Sequence, residues 1–369
     1  MTTLVALAPL GLEKLVAREI RALGGGIGKT RVANGRVGFE GPEDAVYRAN
    51  LHLRVAERIL IPLASGPATT FSDLRKLAAE VPWSHYIGRG IDVRFSTSAR
   101  ACRLYHTGAI ESAVRQALES GGVSFPKAEV PRHVTVDLRG THDVWTASID
   151  STGPGLWRRG YRQRTGKAPL RENLAAAMLM LAGWDGSIPL LDPMCGAGTI
   201  VLEAARLATK RAPGLDRSFA FETFPTFDDE RWAELIEAAR AATDPEGGGV
   251  SIVGADRDAG AVRAARENAG RAEVPGRVRI ERKTLSETPS AEGPGLVVFN
   301  PPYSKRTEAS PEDPAKWAAA LLARRPGWDL VALAPDRATS DALGAKPRGL
   351  GRFRNGGIPV QVVYRPAAS

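Results

Sequence analysis

From Glu172 onward the chain alternates helical and extended apolar segments, and this alternation restricts its fold more than any other feature. Helical spacing of apolar residues marks Asn173–Leu181, Thr199–Ala208, Ala259–Ala269 and Trp317–Ala323. Short apolar runs fall at Ile188–Leu191, Val250–Gly254, Val278–Ile280, Leu296–Phe299, Leu330–Leu333 and Val360–Tyr364. Strands buried on both faces read as continuous apolar runs, and a helix between two of them returns the chain to pair in parallel. The pattern predicts an α/β domain: a mainly parallel sheet with helices on both faces, and a ligand outside the carboxyl ends of its strands.

The residues before this domain read as two α+β units. In the first, Leu4–Leu7 is strand-like and leads into Gly11–Leu23, where Leu12, Leu15, Val16, Ile20 and Leu23 share a helical face. Asn34-Gly35 between Val32 and Val37 is a two-residue hairpin signal, followed by a helix at Pro42–Leu53 and a strand at Ala56–Leu63. The second unit reads as a helix at Phe71–Ala79, an extended Ile91–Thr97 and a helix through Ile110, Val114 and Leu118. Two alternating strands around Val136 and Ala147 follow, joined through Gly140. Between Gly153 and Arg171 the chain holds Arg158, Arg159, Arg162, Arg164, Lys167 and Arg171 with no acid before Glu172. This stretch is expected to be a basic linker between domains, available to a polyanion. The net charge of +9 favours the same kind of partner.

Two segments carry chemistry. Leu190-Leu191-Asp192-Pro193-Met194-Cys195-Gly196-Ala197-Gly198-Thr199 runs from a strand through a glycine turn into a helix. Gly196 and Gly198 let the backbone approach a ligand closely. No Gly-Lys-Ser/Thr follows, position 201 is valine rather than the glycine of a dinucleotide loop, and Asp192 at the strand end disfavours phosphate. The acid suits a ligand with ammonium and hydroxyl groups and no phosphate, such as S-adenosylmethionine. Asp256, ending the next strand, is placed to accept two ribose hydroxyls. Cofactor contacts are therefore expected from Asp192, Cys195, Gly196, Gly198, Thr199, Asp256 and Arg257. The only two cysteines are Cys102 and Cys195; neither a disulfide framework nor a metal site is expected, and Cys195 reads as a packing residue.

The second segment is Asn300-Pro301-Pro302-Tyr303 after the strand Leu296–Phe299. An amino group on an aromatic ring is a poor nucleophile because its lone pair is delocalised. Two acceptors, the Asn300 side-chain oxygen and the Pro301 carbonyl, can hold its N–H bonds and turn the lone pair toward a methyl carbon. Pro301 and Pro302 stiffen the turn, and Tyr303 can stack on a flipped base. All five histidines precede the linker, and none is expected to act in catalysis.

These motifs are joined by Ala8–Glu13, Pro82-Trp83, Leu104–Ala109, Arg159–Arg162, Ala168–Leu174 and Phe353–Gly357. Together they make the chain resemble the THUMP-domain family of RNA guanine-N2 methyltransferases, nearest to the bacterial enzymes of 23S ribosomal RNA in single-methyltransferase form. The resemblance implies a ferredoxin-like domain at 1–62, a THUMP RNA-binding domain at 63–152, the basic linker at 153–172 and a Rossmann-like methyltransferase domain at 173–369. It implies guanine N2 in RNA as acceptor, with Asn300–Tyr303 holding the base. It also implies an adenine contact after the third strand of the catalytic sheet. The family often has aspartate there, whereas this chain has Thr284. Residues 211–249 resemble an insertion of the ribosomal RNA subgroup. A tRNA substrate, adenine N6 in DNA, and a non-catalytic RNA-binding assembly factor are the competing readings. No apolar run is long enough to span a bilayer and no basic region precedes the first one, so a cytoplasmic protein with no membrane partner is expected.

Overall fold

The computed structural model describes residues 1–367 except 127–129, 131, 163–169, 275, 289, 303–313 and 345–348. It forms two compact units. The front unit comprises Met1–Ala8, Ala17–Leu156 and Ser218–Ile236; the second comprises Pro9–Val16, Trp157–Arg217 and Glu237–Ser369.

The front unit is built on β1 (Thr2–Leu7), β2 (Arg31–Ala33), β3 (Arg36–Gly41), β4 (Arg58–Pro67), β5 (Asp92–Arg100), β6 (His133–Thr141) and β7 (Val144–Asp150). Its helices are α1 (Glu13–Ala22), which runs across the division between the units, α2 (Ala45–His52), α3 (Phe71–Ala79) and α4 (Thr107–Ser120). The strand order β2-β3-β1-β4 with antiparallel pairing makes the first six elements a ferredoxin-like βαββαβ arrangement. The sheet does not end there. β4 continues past its pairing with β1 and pairs antiparallel with β7 from Leu60↔Asp150 to Pro67↔Val144, so both front segments share one seven-stranded sheet ending at β5. The turn between β6 and β7 is His142-Asp143, both at positive φ as a two-residue hairpin requires; Gly140 lies inside β6 instead, where a Cβ would stand 2.6 Å from the Trp145 ring. Residues Phe219, Phe221, Phe227 and Trp232 of the 211–249 segment pack their rings with one another and, all but Phe219, with Tyr47 of α2, in keeping with the place of Ser218–Ile236 in the front unit.

The second unit carries α5 (Glu172–Ala182), β8 (Leu190–Asp192), α6 (Thr199–Ala208), α7 (Asp229–Ala241, begun in the front unit), β9 (Ile252–Asp256), α8 (Ala259–Arg271), β10 (Arg279–Arg282), β11 (Gly295–Phe299) and α9 (Pro314–Leu322). β12 (Trp328–Ala334), α10 (Arg337–Ala342), β13 (Gly349–Asn355) and β14 (Ile358–Arg365) complete it. The sheet order is β10-β9-β8-β11-β12-β14-β13. β8 to β12 are parallel, as the alternation predicts, and β14 inserts antiparallel between β12 and β13. β13, with three of its seven residues exposed and glycines at 349 and 351, has no apolar run of its own; its strand character comes from pairing with β14. A core of Val297, Phe299, Trp317, Leu321, Trp328 and Leu330 fixes β11 and β12 against α9.

Candidate active site

Strand order reverses at β8 and β11: from β8 the chain moves outward through β9 and β10, and from β11 it moves the other way. The loops leaving the carboxyl ends of two such strands diverge and leave a crevice. Asp192 and Asn300 stand at these two ends. Leu190 and Leu191 pair with Leu296 and Val297, so β11 runs on beyond β8 before Asn300.

The glycine loop is pinned to the neighbouring strand. The Cys195 amide donates to the Ala255 carbonyl at 2.9 Å, and a Cβ on Gly254 would lie 3.2 Å from the Cys195 side chain, so the absence of one lets the loop close down on β9. Asp256 accepts the Gly196 amide at 2.9 Å through Oδ2 and the Asp258 amide at 2.9 Å through Oδ1. Gly198 sits at φ +85°, its amide bonded to the Cys195 carbonyl at 2.8 Å; a Cβ there would come within 3.1 Å of the Ala265 Cβ. Thr199 then opens α6. The structure thus brings Asp192, Cys195, Gly196, Gly198, Thr199 and Asp256 around one turn.

Burial, reinforced by the Asp256 charge, holds the Asp192 carboxyl well above the ordinary carboxylate range; the residue is 1% exposed and accepts the Met194 amide at 3.1 Å. Burial and the two aspartates likewise push the Cys195 thiol up, so it stays protonated and packs rather than attacks. On the other side of the crevice, Asn300 Oδ1 is buried and accepts no hydrogen bond from the described residues. Pro301 is buried and Pro302 exposed; Tyr303 lies outside the described residues. Arg257 and Thr284 are exposed beyond the ends of β9 and β10. The Thr284 hydroxyl points to its own turn, donating to Glu287 Oε2 at 2.9 Å while the Thr284 amide donates to the same atom at 2.8 Å.

Part of the basic segment is packed rather than solvated among the described residues. Arg159 is 1% exposed and pairs with Glu203 of α6 at 3.5 Å; Tyr161 donates to the same carboxylate at 2.9 Å. Arg162 donates to the Leu170 carbonyl at 2.6 Å, pairs with Glu172 at 3.2 Å and reaches the Thr199 hydroxyl at 3.5 Å. These guanidiniums answer buried carboxylates beneath the glycine loop, so they are not free for phosphate. Arg158 and Arg171 are exposed, the latter 4.5 Å over the Trp157 ring; Arg164 and Lys167 lie outside the described residues.

Three residues emerge here that the sequence pattern did not single out. Asn268 of α8 donates to the Ala197 carbonyl at 3.0 Å, Arg271 donates to Asn268 Oδ1 at 2.7 Å and to the Tyr161 carbonyl at 2.9 Å, and Glu203 anchors the segment above. The one available signal is Glu203, a lone acid on a helix whose other residues are nearly all buried.

A sheet with one antiparallel strand inserted near its end, carrying a glycine loop and acids at its carboxyl edge, defines a Rossmann-like methyltransferase. Within that class the chain belongs to the RMKL-like methyltransferase family: residues 159–346 match the RMKL-like methyltransferase domain and residues 3–60 the RlmL ferredoxin-like domain. Ribosomal RNA large subunit methyltransferase K/L of Aliivibrio fischeri is 36% identical over 84% of this chain and 45% of its own length. The chain therefore spans about half the length of the K/L relatives it matches. The Synechocystis protein slr0064, provisionally named an RNA methyltransferase, is 31% identical over 95% of this chain and 92% of its own. Among solved structures, SMU.472, provisionally named a methyltransferase and crystallised with SAH, is 28% identical and superposes with a TM-score of 0.88 over 100% of this chain and 98% of its own. Among the described residues no helix is long and apolar enough to cross a membrane, and no group of three His, Cys, Asp or Glu residues is placed to hold a metal ion.

Proposed function

We propose that this chain transfers a methyl group from S-adenosylmethionine to the exocyclic N2 of a guanine in RNA, with 23S ribosomal RNA as the substrate. The observation that carries the reading is the buried acceptor Asn300 Oδ1, without a donor among the described residues, at the strand end beside the glycine loop. A buried acceptor without a donor costs free energy, and a bound amino group supplies the missing donor.

The residues fit the cofactor. Asp192 matches its ammonium, Asp256 its ribose hydroxyls, Gly196 has open space where a side chain would stand, and SMU.472 holds the demethylated product on the same fold. Cys195, Gly198 and Thr199 shape the loop, while Arg257 and Thr284 flank the adenine end. When bound, S-adenosylmethionine supplies an electrophilic methyl group on a sulfonium. The chain's own work is positional: Asn300 Oδ1 and the Pro301 carbonyl accept the two N–H bonds of the amine, Pro302 stiffens the turn, and Tyr303 stacks on the base. No side chain has to act as a strong base, because the amine loses its proton readily once methylated.

The name of the K/L relatives supports a ribosomal RNA substrate. In this reading residues 1–62 form the ferredoxin-like domain, 63–152 a THUMP domain that binds the RNA, 153–172 the basic linker, and 173–369 the catalytic domain, with Arg159, Tyr161 and Arg162 of the linker packed against the second unit. The test is transfer of labelled methyl groups to purified ribosomal and transfer RNA, followed by nucleoside analysis. N2-methylguanosine in 23S RNA is expected. Label in transfer RNA alone overturns the substrate, a different methylated nucleoside overturns the acceptor atom, and no label in RNA overturns the activity.

A further inference from the structure

The inner face of α8 meets the glycine loop at two levels. Ala265 lies against Gly198, where a Cβ would stand 3.1 Å from the Ala265 Cβ. Three residues further on, Asn268 is fully buried among Val262, Ala265 and Ala269, the otherwise apolar inner row of the helix. A carboxamide in such a row gives up its hydration, and it is stable there only where protein partners replace the water.

The two ends of the carboxamide have different partners. Asn268 Nδ2 donates to the Ala197 carbonyl at 3.0 Å, and Asn268 Oδ1 accepts from Arg271 Nη2 at 2.7 Å. Only this orientation of the amide satisfies both neighbours, because a carbonyl needs a donor and a guanidinium needs an acceptor. Arg271 also donates through Nε to the Tyr161 carbonyl at 2.9 Å. The peptide joining Ala197 to Gly198 is thereby held at both of its polar atoms. Asn268 donates to its oxygen, while its N–H, that of Gly198, donates to the Cys195 carbonyl at 2.8 Å. The next residue, Thr199, has its hydroxyl 3.5 Å from Arg162, so the 161–162 stretch reaches the loop by two separate routes.

We propose that Asn268 and Arg271 are positioning residues for cofactor binding: with Tyr161 they form a relay that fixes the glycine loop in the shape that receives S-adenosylmethionine. The Tyr161 carbonyl orients Arg271, Arg271 selects the orientation of the Asn268 amide, and Asn268 holds the Ala197 carbonyl. The proposal rests on the assignment of that loop to the cofactor. Without the relay the peptide between Ala197 and Gly198 loses one of its two anchors, and binding has to order the loop at the expense of affinity. Neither side chain takes part in the methyl transfer itself, so the loss falls on binding and not on the chemical step.

The test uses the full chain, with affinity for S-adenosylhomocysteine measured by calorimetry and methyl transfer to RNA measured across a range of S-adenosylmethionine concentrations. Arg271→Met keeps the aliphatic stem and removes the donors; it is expected to weaken S-adenosylhomocysteine binding about threefold to tenfold, the worth of one hydrogen bond. Asn268→Asp keeps the shape and the acceptor for Arg271 but sets a carboxylate against the Ala197 carbonyl, and is expected to weaken binding about tenfold or more. In both variants KM for S-adenosylmethionine should rise while kcat holds. Arg266→Met is the structural control. Arg266, on the same helix, donates to the Ile280 carbonyl through Nε at 3.2 Å and Nη2 at 2.7 Å, so its loss should lower the melting temperature without moving cofactor affinity. Where Asn268→Asp fails to fold, Arg271→Met decides alone, because Arg271 ends α8 and is only half-buried. A wild type that binds S-adenosylhomocysteine, with Arg271→Met losing no more affinity than Arg266→Met, overturns the positioning role. A wild type that does not bind S-adenosylhomocysteine overturns the assignment of the loop on which the role rests.

Discussion

Replacing Glu172 by glutamine should change how stability depends on pH, in a direction the structure dictates. Glu172 opens α5 and is 2% exposed. Burial raises its carboxyl from 4.5 to about 7; Arg162 opposes the rise most strongly, Arg159 also opposes it, and Glu203 adds to it. Between those two values the folded chain holds a proton that the unfolded chain has released. Stability from this group is therefore fullest below pH 4.5, falls as pH rises through the window, and is lowest above pH 7. Between pH 5 and pH 8 the loss amounts to about 2.5 kcal/mol. Glutamine keeps the shape and does not titrate, so the Glu172→Gln chain lacks this slope while sharing every other. Urea unfolding of both chains at the two pH values gives the comparison. The wild type should lose about 2–3 kcal/mol relative to the variant on going to the higher pH. A stability difference that stays constant would show that Glu172 is charged in the fold throughout, and that the ion pair with Arg162 at 3.2 Å outweighs burial.

Gly198→Ala should destabilise the second unit by about 2–4 kcal/mol, combining a left-handed backbone with a Cβ pressed against Ala265; a urea-measured loss below about 1 kcal/mol would mean that the loop relaxes at little cost. Asn300→Ala should lower methyl transfer by about 100-fold or more while leaving the melting temperature and S-adenosylhomocysteine affinity unchanged, because the Oδ1 it removes has no partner among the described residues; a large fall in cofactor affinity would contradict the assigned role. Asp192, held above the ordinary carboxylate range by burial and then by Asp256, should release a proton when a ligand ammonium docks against it. Calorimetric binding heats should then differ between buffers of different ionisation enthalpy, and the difference should vanish in Asp192→Asn. Identical heats for the wild type would show a carboxylate already charged.

The parallel sheet, the glycine loop and the Asn-Pro-Pro turn were legible because their causes are local. An apolar run reports a strand buried on both faces, a glycine reports a backbone that other residues resist, and Asp192, Asp256 and Asn300 announce themselves by ending such runs. The basic stretch at 158–171 was the opposite case. Its composition suggested a surface for polyanions, yet Arg159 and Arg162 are consumed by Glu203 and Glu172 under α6. Whether a guanidinium meets water or a carboxylate depends on a partner brought from elsewhere, here 44 residues along the chain for Arg159 and Glu203. The same holds for β13, which becomes a strand by pairing with β14, and for the aromatic stretch around Phe221, which packs on Tyr47 of α2. Sequence alone determined the parallel strands of the second unit and the chemistry at their carboxyl ends, since backbone preference and motif are written in adjacent residues. Only the tertiary structure decided which charges are buried and which strands share a sheet, because burial and pairing are properties of residues that meet in space.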